Sequence, residues 1–467
     1  MRKSLRTYCL LGGCLSLIIS PVVLATNGYF LIGYGAKSRS MGGTGIANPT
    51  DALAAGANPA GMSRVGTRID FGAELFNPPR RVAAANGEFD FQTPTKEHPY
   101  VDDEESGSNL FLIPSFGMNY QFNRKVSVGM SVIGAGANTR YNDNFFELTG
   151  VPPNEPYGTL GVNLIQMQML PTFTYKVNKN HAFGVSLAIG VQTFRAYGLG
   201  NFGTPDSDSD FQLSSDDSKL TNNGNDWSYG AGVRVGWLGN FLEKKLDLGA
   251  YYASRVYMTE FDEYSGLFAE EGDFDIPENY GIGIAIHPNK KFTLTMDVVQ
   301  INYSDIASIG NPHSTQSLQD PCTRPIDYTG PCQPGNSPVP STEALGAVNG
   351  MGFGWDDQTV YKIGASYQVN DNWIVRAGYN YGESPIPDDQ LLFSMLAPAI
   401  IEQHLTMGFS YLPDRNQEWT VSYVHGFKHS QTCVAPGCVT MLTQNPGAYV
   451  AVEMEQDMLG VSYAYKF

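Results

Sequence analysis

Beyond residue 25 the chain has no apolar run near the roughly 18 residues that a membrane-spanning helix needs. It has only 7 His and no G-x-S-x-G element, so no hydrolytic set stands out from the sequence. Positive charge is scarce: without residues 1–25, 26 Lys and Arg face 46 Asp and Glu, a net charge of −20. That balance excludes non-specific nucleic-acid binding. Cysteine is scarce as well. Cys9 and Cys14 lie in the first 25 residues, and Cys322, Cys332, Cys433 and Cys438 remain. Their spacing has no C-x-x-C, which argues against a metal site and cofactor.

The N-terminus reads as an export signal. Arg2, Lys3 and Arg6 precede an apolar run from Tyr8 to Ile19, and Val23-Leu24-Ala25 places small residues for cleavage after Ala25. An uncleaved anchor is opposed by Pro21 and the short apolar core. A lipoprotein modified at Cys14 would keep an apolar tail. In an oxidising compartment the four remaining cysteines read as disulfides, with Cys322/Cys332 and Cys433/Cys438 the natural pairs of three possible pairings.

What is abundant is aromatic residues and glycine: 26 Tyr, 25 Phe and 51 Gly. A polar average with many aromatics suits a transmembrane barrel, where lipid-facing and lumen-facing residues alternate. From Arg68 onward that alternation repeats. In Trp227–Trp237 the odd positions are Trp, Tyr, Ala, Val, Val and Trp, and the even ones are Ser, Gly, Gly, Arg and Gly. Strands are expected at 68–77, 109–122, 125–140, 160–177, 182–199, 227–238, 246–260, 275–287, 291–304, 356–369, 373–382, 402–412, 418–429 and 453–467. Fourteen is an even number, and short turns such as Asn178-Lys179-Asn180 alternate with long loops, as at the two ends of a bacterial barrel. No fixed repeat length supports a propeller or β-helix. Trp227 with Trp237, and Phe183 with Phe194, are expected as outward aromatic girdles.

Residues 26–67 do not alternate. They are rich in Gly and Ala, with one short helix expected from an Asn48 cap to Gly56. Such a segment is a disordered tail or a plug, and its tight turns favour a plug. Gly33-Tyr34-Gly35-Ala36-Lys37-Ser38 lacks the spacing of a phosphate loop.

The stretch Asn27-Gly28-Tyr29-Phe30, Asp51-Ala52 and Asn58-Pro59-Ala60-Gly61-Met62 resembles the N-terminal hatch of the FadL-type long-chain fatty-acid outer-membrane transporter family. The likeness runs through the strand order to the terminal Phe467, whose aromatic neighbours resemble an insertion signal for the barrel-assembly machinery. It implies an all-β fold: a 14-stranded antiparallel barrel over 68–467, a hatch over 26–67, and a signal peptide over 1–25. It also implies a monomer among outer-membrane lipid and lipopolysaccharide, carrying long-chain fatty acids or other hydrophobic molecules, with lateral exit where the third strand kinks. Gly134 and Gly136 stand in that strand, where ordinary barrel curvature is the alternative reading.

Arg234, Arg255, Lys362 and Arg376 share the polar parity and are expected to face the lumen. Any of them suits a carboxylate, although pairing with Asp70, Glu74 or Asp297 is the commoner fate. Arg195 lies where the resemblance implies a carboxylate-binding cation, yet its parity follows lipid-facing Phe183, Val185 and Leu187. Asp206, Asp208, Asp210 and Asp217 echo a calcium loop, but Phe211 replaces the needed Gly. The competing functions are an aromatic-hydrocarbon channel of the same family, an aqueous porin, and an outer-membrane lipid hydrolase. Peptide mapping of the oxidised protein should recover Cys322–Cys332 and Cys433–Cys438; a link between the two loops, or free thiols, would contradict the reading.

Overall fold

The computed structural model describes residues 27–86, 102–142, 159–202, 214–313, 344–434 and 448–467. The chain forms seventeen strands: β1 Arg68–Asn77, β2 Arg80–Asn86, β3 Asp102–Glu105, β4 Phe111–Gln121, β5 Val126–Asn138, β6 Gly161–Lys176, β7 His181–Tyr197, β8 Asp226–Phe241, β9 Leu246–Ala253, β10 Tyr257–Met258, β11 Asn279–Ile286, β12 Phe292–Ile301, β13 Gln358–Gln368, β14 Trp373–Tyr381, β15 Gln403–Tyr411, β16 Gln417–Val434 and β17 Ala448–Lys466. Fourteen close a ring of antiparallel pairs in which β1 joins β17 on one side and β4 on the other. Closure follows from the medium. In hydrocarbon a backbone N–H or C=O without a partner is costly, and a closed sheet has no edge. The other three strands extend the wall: β2 and β3 rise beside β17, and β10 pairs with β8.

All fourteen expected strands are present, with shifted ends. The alternation holds: Phe71, Leu75, Leu112, Phe183, Leu187, Trp227, Val233 and Trp419 face outward and are exposed, whereas Ser131, Gln166, Ser186 and Thr420 face inward and are buried. Phe194 departs from expectation. It has the opposite parity to Phe183, is 4% exposed, and points inward.

The short turns share one device. Asn123, Asn178, Asn289, Asn370 and Asp414 each accept hydrogen bonds from two backbone amides two and three residues on. A short polar side chain that bonds its own backbone fixes a tight reversal, which explains the Asn-rich spacers.

Residues 27–67 fold into α1 (Ala36–Arg39) and two 3-10 turns, Ala54–Gly56 and Pro59–Ser63. The expected helix from Asn48 is absent. Its capping roles fall one element later: Asn58 accepts from the Ala60 amide, and Pro59 takes the first turn. A Gly/Ala-rich stretch offers no apolar stripe to sustain a longer helix. The segment touches inward-facing wall positions around the ring. Inward glycines admit its backbone: a Cβ on Gly184 would collide with Pro59 and Ala60, and one on Gly378 with Met41 and Gly42.

Buried charge fixes the segment. Arg39 pairs with Glu74, and Lys37 Nζ lies 2.9 Å from Glu418. Asp297 accepts from the Gly45 and Ile46 amides at 2.7 and 3.0 Å, and Asp70 from Ala52 N at 3.0 Å. Removing one partner of a buried pair strands the other, at a cost of about 3–5 kcal/mol. Arg39→Met should therefore loosen the segment and raise small-solute conductance in liposomes while the heat-modifiable mobility of the barrel persists. Unchanged conductance would show that this pair does not hold it.

Candidate functional site

Even positions of β6 and β7 face inward, so Val162, Leu164, Phe194 and Ala196 present apolar groups at their upper ends. Loop residues from 254–278, 302–313, 344–357 and 382–402 fold over them. A small cavity of about 30 Å³ lies between the two layers, lined among others by Val162, Phe194, Phe202, Phe268, Met351 and Phe393. The rings run on from there. Phe194 meets Phe268 at 4.6 Å, Phe268 meets Phe274 at 4.9 Å, and Phe274 reaches Tyr29 at 6.4 Å between ring centres. Tyr29 also packs on Phe30 and Tyr303. An apolar core is thus continuous from the outer loops to the N-terminal segment. Below it a second cavity, also of about 30 Å³, is more polar, bounded by Tyr34, Tyr251, Asn279, Asp297 and Lys362.

Loop contacts brace the upper cavity. Tyr141 Oη donates to the Met395 carbonyl at 2.9 Å, and Trp355 Nε1 donates to Ser394 at 3.1 Å. Ser308 lines the cavity and donates to the Asp273 carbonyl at 2.5 Å. Burial pushes the Asp273 carboxyl up to about 7, helped by neighbouring Asp275 and by Glu270 and opposed by Arg255.

Three of the expected lumenal cations do face inward, but each is engaged. Arg234 donates to the Gly56 carbonyl and lies 5.3 Å from the Tyr251 ring centre. Lys362 donates to the Ile32 carbonyl at 2.7 Å. Arg376 donates to Ser410 at 2.7 Å and stands 3.9 Å from Glu418. Of the other two, Arg255 departs from the expected lumenal parity and Arg195 keeps the outward parity expected of it. Arg255 is turned away from the lumen by a bulge. Ala253 pairs with Arg234 and Tyr257 with Ala231, so one extra residue shifts the parity. Val256 then points inward, and Arg255 sits beside Tyr257, Asp275 and the Asp305 carbonyl. Arg195 keeps its outward parity, because the β6–β7 ladder reaches Asn163↔Arg195 without an inserted residue; its guanidinium lies over Tyr197 at 4.5 Å.

The wall is not evenly bonded. β4 and β5 pair from Gln121↔Ser127 up to Phe116↔Val132. Above that, Phe111–Ser115 pairs with β1 and Ile133–Asn138 with β6, and no pairing joins the two stretches among the described residues. Pro114 has no N–H to offer. Gly134 and Gly136 stand in the unpaired stretch. The Asn58–Gly61 turn, which a plug covering this place would bring near, lies elsewhere: Asn58 Nδ2 donates to the Trp237 carbonyl at 2.9 Å, and Pro59 packs on Gly184. Ala52 reaches β5 by accepting at its carbonyl from Ser131 at 2.7 Å, and Met62 packs on Gly129 lower in the same strand.

Cys433 is disulfide-bonded. Cys322, Cys332 and Cys438 lie outside the described residues, as do Asp206, Asp208 and Asp210. Among the described residues no cluster of three metal-ligating side chains occurs.

Residues 32–467 match the family described as outer membrane protein transport protein (OMPP1/FadL/TodX). The Pseudomonas putida toluene transporter TodX is similar in structure, with a TM-score of 0.60 at 18% identity over 94% of this chain and 99% of that one. A Pseudomonas aeruginosa FadL homologue gives 0.61 at 14% identity over 94% and 100%. The Ralstonia pickettii toluene transporter TbuX gives 0.56 at 15% over 93% and 98%. A stretch of 76 residues is 45% identical to an uncharacterised Chlorobium limicola protein in a phosphoenolpyruvate carboxykinase gene 5′ region; it covers 16% of this chain and 37% of that relative. The chain belongs to the OMPP1/FadL/TodX family of outer-membrane transport proteins, whose members are channels and not enzymes.

Proposed function

We propose that this chain carries hydrophobic compounds across the outer membrane by facilitated diffusion, with long-chain fatty acids the first candidate. The observation that carries this reading is the apolar core that runs from the outer cavity to the inward face of β5, beside the stretch where β4 and β5 do not pair. Each methylene left in water costs about 0.8 kcal/mol. A route that passes from cavity to bilayer keeps the hydrocarbon out of water, whereas an open aqueous pore does not.

In this reading residues 1–25 are removed on export and residues 26–67 act as a hatch that blocks axial passage. Substrate enters at the ring-lined cavity and leaves sideways between β4 and β5 at Gly134 and Gly136. In this reading Lys362, which lines the second cavity, meets a substrate carboxylate. The aromatic lining favours monoaromatic hydrocarbons as a second substrate class, and toluene transporters stand among the similar structures.

Two outcomes test this account. Gly136→Trp should fill the opening and abolish uptake of labelled oleate, while barrel assembly and oleate binding at the outer cavity persist; normal uptake by a correctly assembled variant would overturn lateral exit. The second concerns the cover of the cavity. Asp273 is raised above the ordinary carboxyl range, so its protonated form favours the folded loop. That contribution is complete below about pH 4 and is lost as pH rises through about 7. Hydrogen exchange in residues 254–278, corrected for intrinsic rates, should therefore be faster at pH 8 than at pH 5, and Asp273→Asn should remove the difference. Equal protection at both pH values would contradict it.

A further inference from the structure

The inward face of β6 carries an interruption that its apolar neighbours do not predict. Between Leu164 and Leu170 stand Gln166 and Gln168, 1% and 5% exposed, and of the two it is Gln166 whose amide atoms are both buried without a partner. Directly across the ladder on β7 stands Gln192, 0% exposed. The side-chain amide nitrogen and oxygen of both residues have no hydrogen-bond partner among the described residues. The Tyr29 hydroxyl, 3% exposed with its residue, lies beside the Gln166 amide without completing a well-formed bond.

Five polar atoms buried in this way are costly, because each has given up water and gained nothing. Strand pairing holds the two glutamines at this level, so neither can swing out to solvent without leaving the lumenal face. Their position is specific. Two residues above Gln192 is Phe194, which lines the outer cavity. Across from Gln166 on the other side is Ala135, within the part of β5 that β4 leaves unpaired. The group therefore lies between the proposed entrance and the proposed exit.

We propose that Gln166, Gln192 and Tyr29 form a polar station that receives the uncharged hydrogen-bonding head group of an amphipathic substrate, a hydroxyl or an undissociated carboxyl, while its tail stays among the rings above. This rests on the transport reading and adds to it the chemistry of the head group. Primary amides and a phenol supply both donors and acceptors, which match a neutral O–H or C=O. They supply no charge, and an ionised carboxylate buried without a cation is strongly disfavoured. No charged partner of Gln166 or Gln192 occurs among the described residues, and the lumenal cations are engaged elsewhere: Arg234 by Gly56, Lys362 by Ile32, and Arg376 by Ser410 with Glu418. A site built to bond an O–H discriminates against the analogue that lacks it, because the site's own groups are then left unpaired.

The test compares two probes that share a tail, 1-decanol and decane, on the full chain in the outer membrane of a Gram-negative host without a hydrophobic transporter of its own. Gln166→Met combined with Gln192→Met keeps side-chain volume and removes the amides. Uptake of 1-decanol at limiting concentration should fall about tenfold, the worth of roughly one hydrogen bond, with decane uptake unchanged. Tyr29→Phe, which removes only the hydroxyl, should act in the same direction. Heat-modifiable mobility confirms assembly of each variant. Equal changes for both probes, or no change for either, would overturn the station while leaving transport intact, as would a native chain that carries decane but not decanol. A native chain that carries neither probe would refute the transport reading itself.

Discussion

Inside a bilayer the backbone must bond to itself, and nearly every feature of this chain follows from that requirement. It forces the ring to close, so that β1 must find both β17 and β4. It makes each strand two-faced, with Leu and Phe toward lipid and Ser, Thr and Gln toward the lumen. It also makes any departure from pairing conspicuous. The departure above Phe116↔Val132 is flanked by Pro114, which cannot donate, and by glycines that let the strand draw away from its neighbour. In a soluble sheet such a place would be filled by water. In a wall facing lipid it is the place where, on the proposed reading, a hydrocarbon chain passes without meeting an aqueous phase.

The lumen meets the same requirement with charge. Glu418 gathers Lys37, Lys466, Arg68 and Arg376 within 4 Å, and Glu74 takes Arg39. All of these groups except Lys466 are buried, and each depends on a partner held opposite by the wall. The N-terminal segment is therefore set in place by the barrel more than by its own short turns. Its smallness matters as much as its charge, since glycines on both sides allow backbone to touch backbone.

Much of the wall was legible in the sequence because strand periodicity is local: two residues are enough to define a face. The device at the short turns was legible too, as Asn-rich spacers. What escaped the sequence depends on single insertions or on partners far along the chain. One extra residue after Ala253 turns Arg255 away from the lumen, and no composition signal marks it. Phe194 differs from Phe183 by an odd number of residues, so strict counting alone would have placed it inside. The Asn58 turn was recognisable as a motif, yet its seat against Gly184 and Gly236 depends on wall positions more than a hundred residues away. By parity alone Gln166 and Gln192 are ordinary lumenal polar residues. Only their burial without partners sets them apart, and a sequence does not show partners.

The most direct measurement concerns the wall between β4 and β5. Continuing the register upward would bring Pro114 opposite Gly134. Cysteines at these two positions, joined by a reducible cross-linker, would tie the strands together without altering the outer cavity or the N-terminal segment. The account predicts that uptake of labelled oleate stops when the link is closed and returns when it is reduced, with ligand binding at the outer cavity unchanged throughout. Uptake that proceeds at the same rate through the linked wall would contradict it.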